Sequence, residues 1–284
     1  MIIKLSNNEI DIQILFDYLK DVDRDFETPL SLKVNLFEFA RKTLSNGHAF
    51  MVREDDKYVA LVTLYCNDKV NAKAFLPILS VKEFYRGKGY ARQLVNIAIN
   101  MSRLYEMKTV NVDSVNPIAI SLYKSVGFQS VGVDDVNGLR KEYLQLTIPK
   151  IEKGDILKFL EDINHDFSPN LDNKVVLRDY ATKIQEQASV MIETDISGIC
   201  GMVVFYCNNQ ETKLAYISLV GVSARARSQG IASRLVKSVC EYINTKEFSK
   251  IGIHSNNPSA IRIYQQLGFS IIEDEERKYM EMVL

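Results

Sequence analysis

Apolar residues recur every three or four positions in DIQILFDYLKDV, from Asp11, and in NLFEFARKTL, from Asn35. That spacing predicts two amphipathic helices. AFMVRE and KYVALVTLYC then predict the strands of a hairpin turning at Asp55 and Asp56, with the next turn at Asn67 and Asp68. AKAFLPILSV, from Ala72, is nearly continuous in apolar residues, as a strand covered on both faces would be. Pro77 within it lacks an N–H, so a bulge or a pairing gap is expected there. A helix follows from Gly87 to about Leu104, its Leu94, Ile97, Ala98 and Met101 sharing a face. TVNVDSV predicts another strand. Pro117 fits the first turn of a further helix, Gly127 its C-cap, and Phe128 the start of a return strand.

The pattern then repeats. Shifting the chain by 141 residues gives 30 identities over the 112 positions from Asp17 to Phe128, without a gap. DVDRDF from Asp21 meets DINHDF from Asp162, and YCN at Tyr65 meets YCN at Tyr206. So long a period indicates two whole domains, and not the small stacked units of a solenoid. Each half is long enough to bury its own core. The boundary is expected near Lys150 in the polar link TIPKIEKGD, giving domains 1–149 and 150–284. The last hairpin is shorter in the second half, where EDEERKYM stands for VDDVNGLRKEYL. Helices set among strands of mixed direction make each domain α/β, or α+β with a mixed sheet.

Composition narrows the partners. The chain is 46% hydrophobic and 25% charged with net charge −1, which gives no electrostatic case for nucleic acid or an acidic membrane. MIIKLSNNEI turns polar after five residues, unlike a signal peptide, and the longest apolar run, ICGMVVFYC from Ile199, is too short to span a bilayer. A cytoplasmic protein that engages neither membrane nor nucleic acid is expected. Cys66, Cys200, Cys207 and Cys240 form no C-x-x-C pair and read as buried, reduced thiols. The three histidines are far apart and show no metal-ligand spacing, so no metal is expected.

Two stretches carry the candidate chemistry. VKEFYRGKGYARQLV begins at Val81 and VSARARSQGIASRLV at Val222. Each ends a strand and runs through R-x-x-G-x-A into a helix, with Arg86, Gly89 and Ala91 in one copy and Arg227, Gly230 and Ala232 in the other. Such a turn aims backbone N–H groups at one point, and the helix N-terminus adds positive potential. Gly89 and Gly230 lack a Cβ, so an anion can approach the backbone closely. Gly87, Lys88 and Tyr90, and Ser228, Gln229 and Ile231, complete the two cradles. Further on, NPIAISLYKSVGF from Asn116 and NPSAIRIYQQLGF from Asn257 share N-x-x-A-x-x-x-Y-x-x-x-G-F.

Loop, strand, Asn helix and Gly-Phe, in this order and twice over, resemble the GNAT acyltransferases, which use acetyl-CoA. The order of elements is that of the GNAT fold. The resemblance implies an N-acetyltransferase whose cradles carry the CoA pyrophosphate, with Arg86 and Arg227 pairing with phosphate or merely decorating a helix start. It implies that the helices at Asn116 and Asn257 lie along the pantetheine. It also implies that the strand before each cradle splays from the next and grips pantetheine through backbone groups of Leu79 and Val81, and of Val220 and Val222. A backbone N–H at the bulge would polarise the thioester carbonyl.

Tyr123 and Tyr264 lie seven positions after the motif asparagines, two helical turns on, and are the candidate general acids. The alternative is a pair of core tyrosines. Many family members carry a glutamate on the fourth strand, but neither KAFLPILSV nor LAYISLVGV contains an acidic residue. The equivalent Asp113 and His254 on the next strand are candidate bases, or else plain polar residues at a strand end. Asp25 with Phe26, and Asp166 with Phe167, border the acceptor region in the fold that this chain resembles. They would receive a cationic amine beside an apolar group, or would be a helix cap and a core phenylalanine. The expected acceptor is a small-molecule amine, on a monomer or homodimer. Acetylation of a protein amine, or acyl-CoA binding without turnover, are the alternatives.

Overall fold

The structure, a computed structural model, describes residues 2–136, 138–195, 197–244, 246, 248–273 and 278–284. The chain divides into two compact units, Met1–Pro149 and Lys150–Leu284. In the first, β1 (Ile2–Leu5) leads to α1 (Glu9–Val22) and α2 (Leu36–Asn46). Then come β2 (His48–Glu54), β3 (Lys57–Asp68), β4 (Lys73–Phe75) and β5 (Leu79–Val81). α3 (Tyr90–Leu104), β6 (Thr109–Ser114), α4 (Pro117–Val126), β7 (Gln129–Val136) and β8 (Leu139–Thr147) complete it. The second unit repeats this order without a counterpart of β1. It comprises α5 (Lys153–Asp162), α6 (Leu177–Gln187), β9 (Ser189–Asp195), β10 (Gly198–Tyr206), β11 (Leu214–Val222) and α7 (Ile231–Asn244). β12 (Lys250–Ser255), α8 (Pro258–Gln266), β13 (Ser270–Glu273) and β14 (Lys278–Val283) follow.

Local chemistry explains the element ends. Asn8 and Asn35 cap α1 and α2 by accepting backbone N–H bonds. Asp55 and Asp56 both adopt positive φ, the backbone of a two-residue hairpin turn. Two boundaries differ from the sequence reading. β3 continues through Asp68, which moves the turn to the next residues, and α3 begins at Tyr90 because positions 87–89 form the turn itself.

Each unit builds one mixed sheet. The strand order is β1-β2-β3-β4-β6-β8-β7 in the first, with β5 also on β3, and β9-β10-β11-β12-β14-β13 in the second. Among the described residues only β4–β6 and β11–β12 pair in parallel. Helices cover the N-terminal part of each sheet on both faces. In the second unit Gly201 has Ile231 and Leu235 of α7 over it, while Gly221, facing the other way, meets Phe159 and Ile163 at the end of α5. Neither position has space for a Cβ, which fixes how closely those helices approach. Leu15, Leu19, Met51 and Leu61 lie at the centre of the α1–α2 core, and Ile156, Leu160, Met202 and Val204 at the centre of the α5–α6 core.

The apolar run from Ala72 is broken at Pro77, as its missing N–H demands: β4 stops at Phe75 and β5 starts at Leu79. The equivalent Ser218 is an extra residue in β11, between Ile217 opposite Phe205 and Leu219 opposite Val204. Residues 274–277, within the shorter hairpin read from EDEERKYM, lie outside the described residues. Among the described residues no helix is long and apolar enough to cross a membrane.

Candidate active site

The break in the strand creates a fork. β4 pairs with β6 only from Lys73 to Phe75, and beyond that β5 bonds β3 alone while β6 bonds β8. Likewise β11 pairs with β12 only as far as Ile217 opposite Ile253. Thr63 donates its N–H to the Ile78 carbonyl and Lys82 donates its own to Val59, so residues 78, 80 and 82 face β3. Leu79 and Val81 therefore aim their backbone groups into the fork. Ser223 donating to Cys200 sets the same phase in the second unit, which aims Val220 and Val222 into the other fork.

At the end of each forked strand lies a cradle of unpaired amides. Arg86 N–H closes a 3₁₀ turn on Glu83, and Gln93 N–H makes the first bond of α3 to Gly89. Between them, the N–H groups of Gly87, Lys88, Gly89, Tyr90, Ala91 and Arg92 have no acceptor among the described residues. Ser228 through Ser233 repeat this between Arg227, bonded to Ala224, and Arg234, bonded to Gly230. Gly87 and Gly89 both have φ +80 with open space where a Cβ would point, which leaves room for a ligand atom. Converging free amides at a helix N-terminus suit a pyrophosphate.

The arginines are placed differently from the sequence expectation. Arg86 donates Nε–H to the Val81 carbonyl at 3.0 Å and NH2 to Asp25 at 3.2 Å. Arg227 bonds Val222 at 3.3 Å and Asp166 at close range. The carboxylate read as an amine receptor thus holds the arginine read as a phosphate ligand, twice, at a separation of 61 residues. Each arginine braces the end of the forked strand against the turn after the first helix. Phe26 and Phe167 pack on the cores beside those turns. Asn116 and Asn257 cap their helices, each accepting two backbone N–H bonds through its side-chain oxygen.

Lys88 lies beside its cradle, 2.7 Å from Glu54, which also accepts a close bond from Tyr90. The lysine and the tyrosine hydroxyl hold the Glu54 carboxyl below its ordinary range. Where the second cradle has neutral Gln229, Arg234 donates to the Gln229 carbonyl and bonds Glu193 at 2.8 and 3.1 Å. The sequence reading missed Arg234. Its signal was the basic residue one turn into the helix, where the first copy has Gln93.

The rings of Tyr123 and Tyr264 are buried against Phe128 and Phe269. Neither hydroxyl has a hydrogen-bond partner among the described residues, and neither is sealed from solvent. Burial raises both phenol pKa values, and the charge of Asp113 adds to the shift at Tyr123, so both remain proton carriers at neutral pH.

Asp113, opposite Tyr143 of β8, and His254, opposite Tyr279 of β14, lie beyond the residues of β6 and β12 that pair with the forked strand, and have unlike surroundings. Lys141 lies 2.5 Å from Asp113. His254 Nδ1 lies 2.9 Å from the Tyr216 hydroxyl, and its ring packs 4.7 Å from that of Tyr279. Tyr279 in turn donates to Glu281 at 2.7 Å. Tyr216 was also missed, since the first copy has Phe75 at its place. The four cysteines are free, and burial lifts the thiols of Cys66 and Cys200 to about 11 and Cys240 to about 12, so these three are not ready nucleophiles. No cluster able to hold a metal occurs among the described residues.

The sequence model of the Acetyltransferase (GNAT) family matches residues 13–128 and again residues 157–269. The chain is 30% identical over 139 residues to N-alpha-acetyltransferase 50 of Danio rerio, covering 46% of this chain and 80% of that protein. Among solved structures, aminoglycoside 6'-acetyltransferase type Ii aligns with TM-score 0.45 and 19% identity, over 54% of this chain and 99% of its own. The ribosomal-protein-S18-alanine N-acetyltransferase from Escherichia coli aligns with TM-score 0.43 and 18% identity, over 54% of this chain and 97% of its own. With a fork and a cradle in each half and the family matched twice, the chain belongs to the GNAT acetyltransferases, as a tandem pair of acyltransferase domains that use an acyl-CoA donor.

Proposed function

We propose that the protein transfers an acetyl group from acetyl-CoA to an amine by direct attack on the thioester, and that the second unit performs the transfer. The observation that carries this reading is the pairing of His254 with Tyr216 at the mouth of a fork that ends in a free-amide cradle. Acetyl-CoA supplies an activated acyl group, so no covalent enzyme intermediate is required. The amides of Ser228–Ser233 hold the pyrophosphate, with Arg234 bracing the turn through the Gln229 carbonyl. Val220 and Val222 extend the sheet by one strand, using the backbone edge that β12 leaves free. His254 takes a proton from the acceptor amine, with Tyr216 holding the ring. Tyr264 donates its phenolic proton to the departing thiolate. Holding both reactants in the fork supplies much of the rate.

The first unit has the same fork and cradle and binds the same donor at Leu79, Val81 and Gly87–Arg92. Asp113 there is ion-paired with Lys141. The acceptor we propose is the amine of a small molecule. The name of the Danio rerio relative favours a second reading, the α-amino group of a polypeptide. Following free thiol while acetyl-CoA is incubated with amines, amino sugars and peptides decides between them. Calorimetry with a non-hydrolysable acetyl-CoA analogue tests the two sites: a stoichiometry near two is expected, falling to one with either Gly89→Glu or Gly230→Glu. Binding that survives both substitutions together would overturn the cradle assignment.

A further inference from the structure

Along β12, Lys250, Gly252 and His254 share one face of the sheet, and Tyr279 and Glu281 of β14 stand beside them on that face. His254 is directly opposite Tyr279, and Gly252 is opposite Glu281. The Tyr279 side chain leans across Gly252: a Cβ there would lie 2.6 Å from its hydroxyl oxygen, 3.0 Å from Cε2 and 3.2 Å from Cζ. Gly252 has the backbone of an ordinary strand residue, so the glycine supplies space and not conformation. The Tyr279 hydroxyl donates to Glu281 at 2.7 Å, and Lys250 Nζ donates to the other Glu281 oxygen at 2.9 Å. Burial and then the Glu281 carboxylate raise the Tyr279 phenol, which keeps the proton on the hydroxyl for this bond.

The anchored ring packs on the His254 imidazole, 4.7 Å between centroids and 33° between planes. A hydrogen bond such as that from Tyr216 fixes one ring atom, and a stacked ring opposes rocking about it. The first unit has the same tyrosine but not the clamp. Asn111 occupies the place of Gly252, bonded to Ala74 and Thr109, and accepts from Gln145 at the place of Glu281. Tyr143, opposite Asp113, gives its hydroxyl to Asp134 of β7 instead. Glycine, glutamate and histidine thus occur together in the second unit, where asparagine, glutamine and aspartate stand in the first. A flat ring can orient an imidazole by stacking and has no such hold on a carboxylate.

We propose that Tyr279 is a positioning residue for acyl transfer: lying in the space that Gly252 provides and anchored by Glu281 and Lys250, its ring sets the orientation in which His254 meets the acceptor amine. The inference rests on the reading of His254 as the base of the second unit.

Proton NMR of the full chain tests the placement without any substrate. The His254 ring resonances, identified by their loss in His254→Asn, should move in Gly252→Ala and in Tyr279→Leu as the neighbouring ring current is withdrawn. Kinetics with acetyl-CoA and the best acceptor from the free-thiol screen test the role. Gly252→Ala and Tyr279→Leu should each lower kcat roughly tenfold, with KM for donor and acceptor within about twofold. Tyr279→Phe keeps the ring and should lose less than Tyr279→Leu. It should also restore part of the rate to Gly252→Ala, because the atom nearest the new methyl is gone. In a His254→Asn background Gly252→Ala should cost nothing further. Melting temperatures check that each variant folds, and if Gly252→Ala does not, the two Tyr279 variants carry the test. His254 resonances that stay in place in Tyr279→Leu would overturn the proposal, as would a kcat that holds while they move. So would a loss that persists in His254→Asn, since Tyr279 would then act apart from the imidazole. Full activity of His254→Asn itself would overturn the proposed function, and this inference with it.

Discussion

At the mouth of the first fork a carboxylate is neutralised by a lysine 2.5 Å away, while at the second an imidazole rests on a tyrosine hydroxyl. Fork, cradle, arginine brace and buried tyrosine are otherwise common to both units. The difference shows which parts of the duplicated site follow from holding the donor and which from moving a proton. Donor-holding parts are backbone amides and a strand edge, and they tolerate side-chain drift. The proton-moving parts are single side chains, and there the copies have diverged.

The comparison is broken most directly at the phenols. Tyr264→Phe should lower kcat roughly 10²–10⁴-fold with acetyl-CoA affinity nearly unchanged, and Tyr123→Phe should leave turnover intact. Equal losses in both variants would make the units equivalent catalysts. A double variant as active as the wild type would remove the general-acid role, and one that loses binding too would make these core tyrosines. Steady-state kinetics and calorimetry on the same preparations separate these cases.

A smaller effect is expected at the base. His254→Asn should lower kcat by roughly 10²-fold, and Asp113→Asn should change it little. A kcat unchanged in His254→Asn would place the base elsewhere.

The brace is worth less. Asp25→Asn and Arg86→Ala should each weaken acetyl-CoA at the first unit by about 1 kcal/mol, and the double substitution by no more than either alone. Were Arg86 a direct phosphate ligand, releasing it with Asp25→Asn would tighten binding instead.

The least effect is on acid stability. Lys124 is the main cause of a Glu142 carboxyl held below its ordinary value, with Arg140 assisting. A group lowered by folding stabilises the folded state above its unfolded pKa, and that contribution disappears as pH falls through the folded value. Thermal melts of the wild type should therefore drop more steeply than those of Glu142→Gln below about pH 4.5. The second unit has Lys278 at that register.

Much of this was legible in the sequence because it is local. The repeat, the helix caps, the break at Pro77 and the cradle turns depend on neighbours within a few positions. What was not legible depends on distant partners. Arg86 and Asp25 are far apart along the chain, and nothing local marks them as a pair. His254 and Tyr279 become neighbours only through the register of a hairpin shortened by five residues relative to the first copy, Tyr143 and Tyr279 being the equivalents. Arg234 compensates for Gln229 from the next turn of a helix, a substitution in space that position-by-position matching does not reveal.

The unpaired cradle amides also have a spectroscopic consequence. A backbone N–H with no acceptor trades its proton for deuterium quickly, whereas those deeper in α3 and α7 are held by their helices. An anion seated on Gly87–Arg92 or Ser228–Ser233 slows that exchange locally. The two segments differ in sequence, so their peptides are distinguishable by mass, and each unit reports its own occupancy without any chemistry taking place.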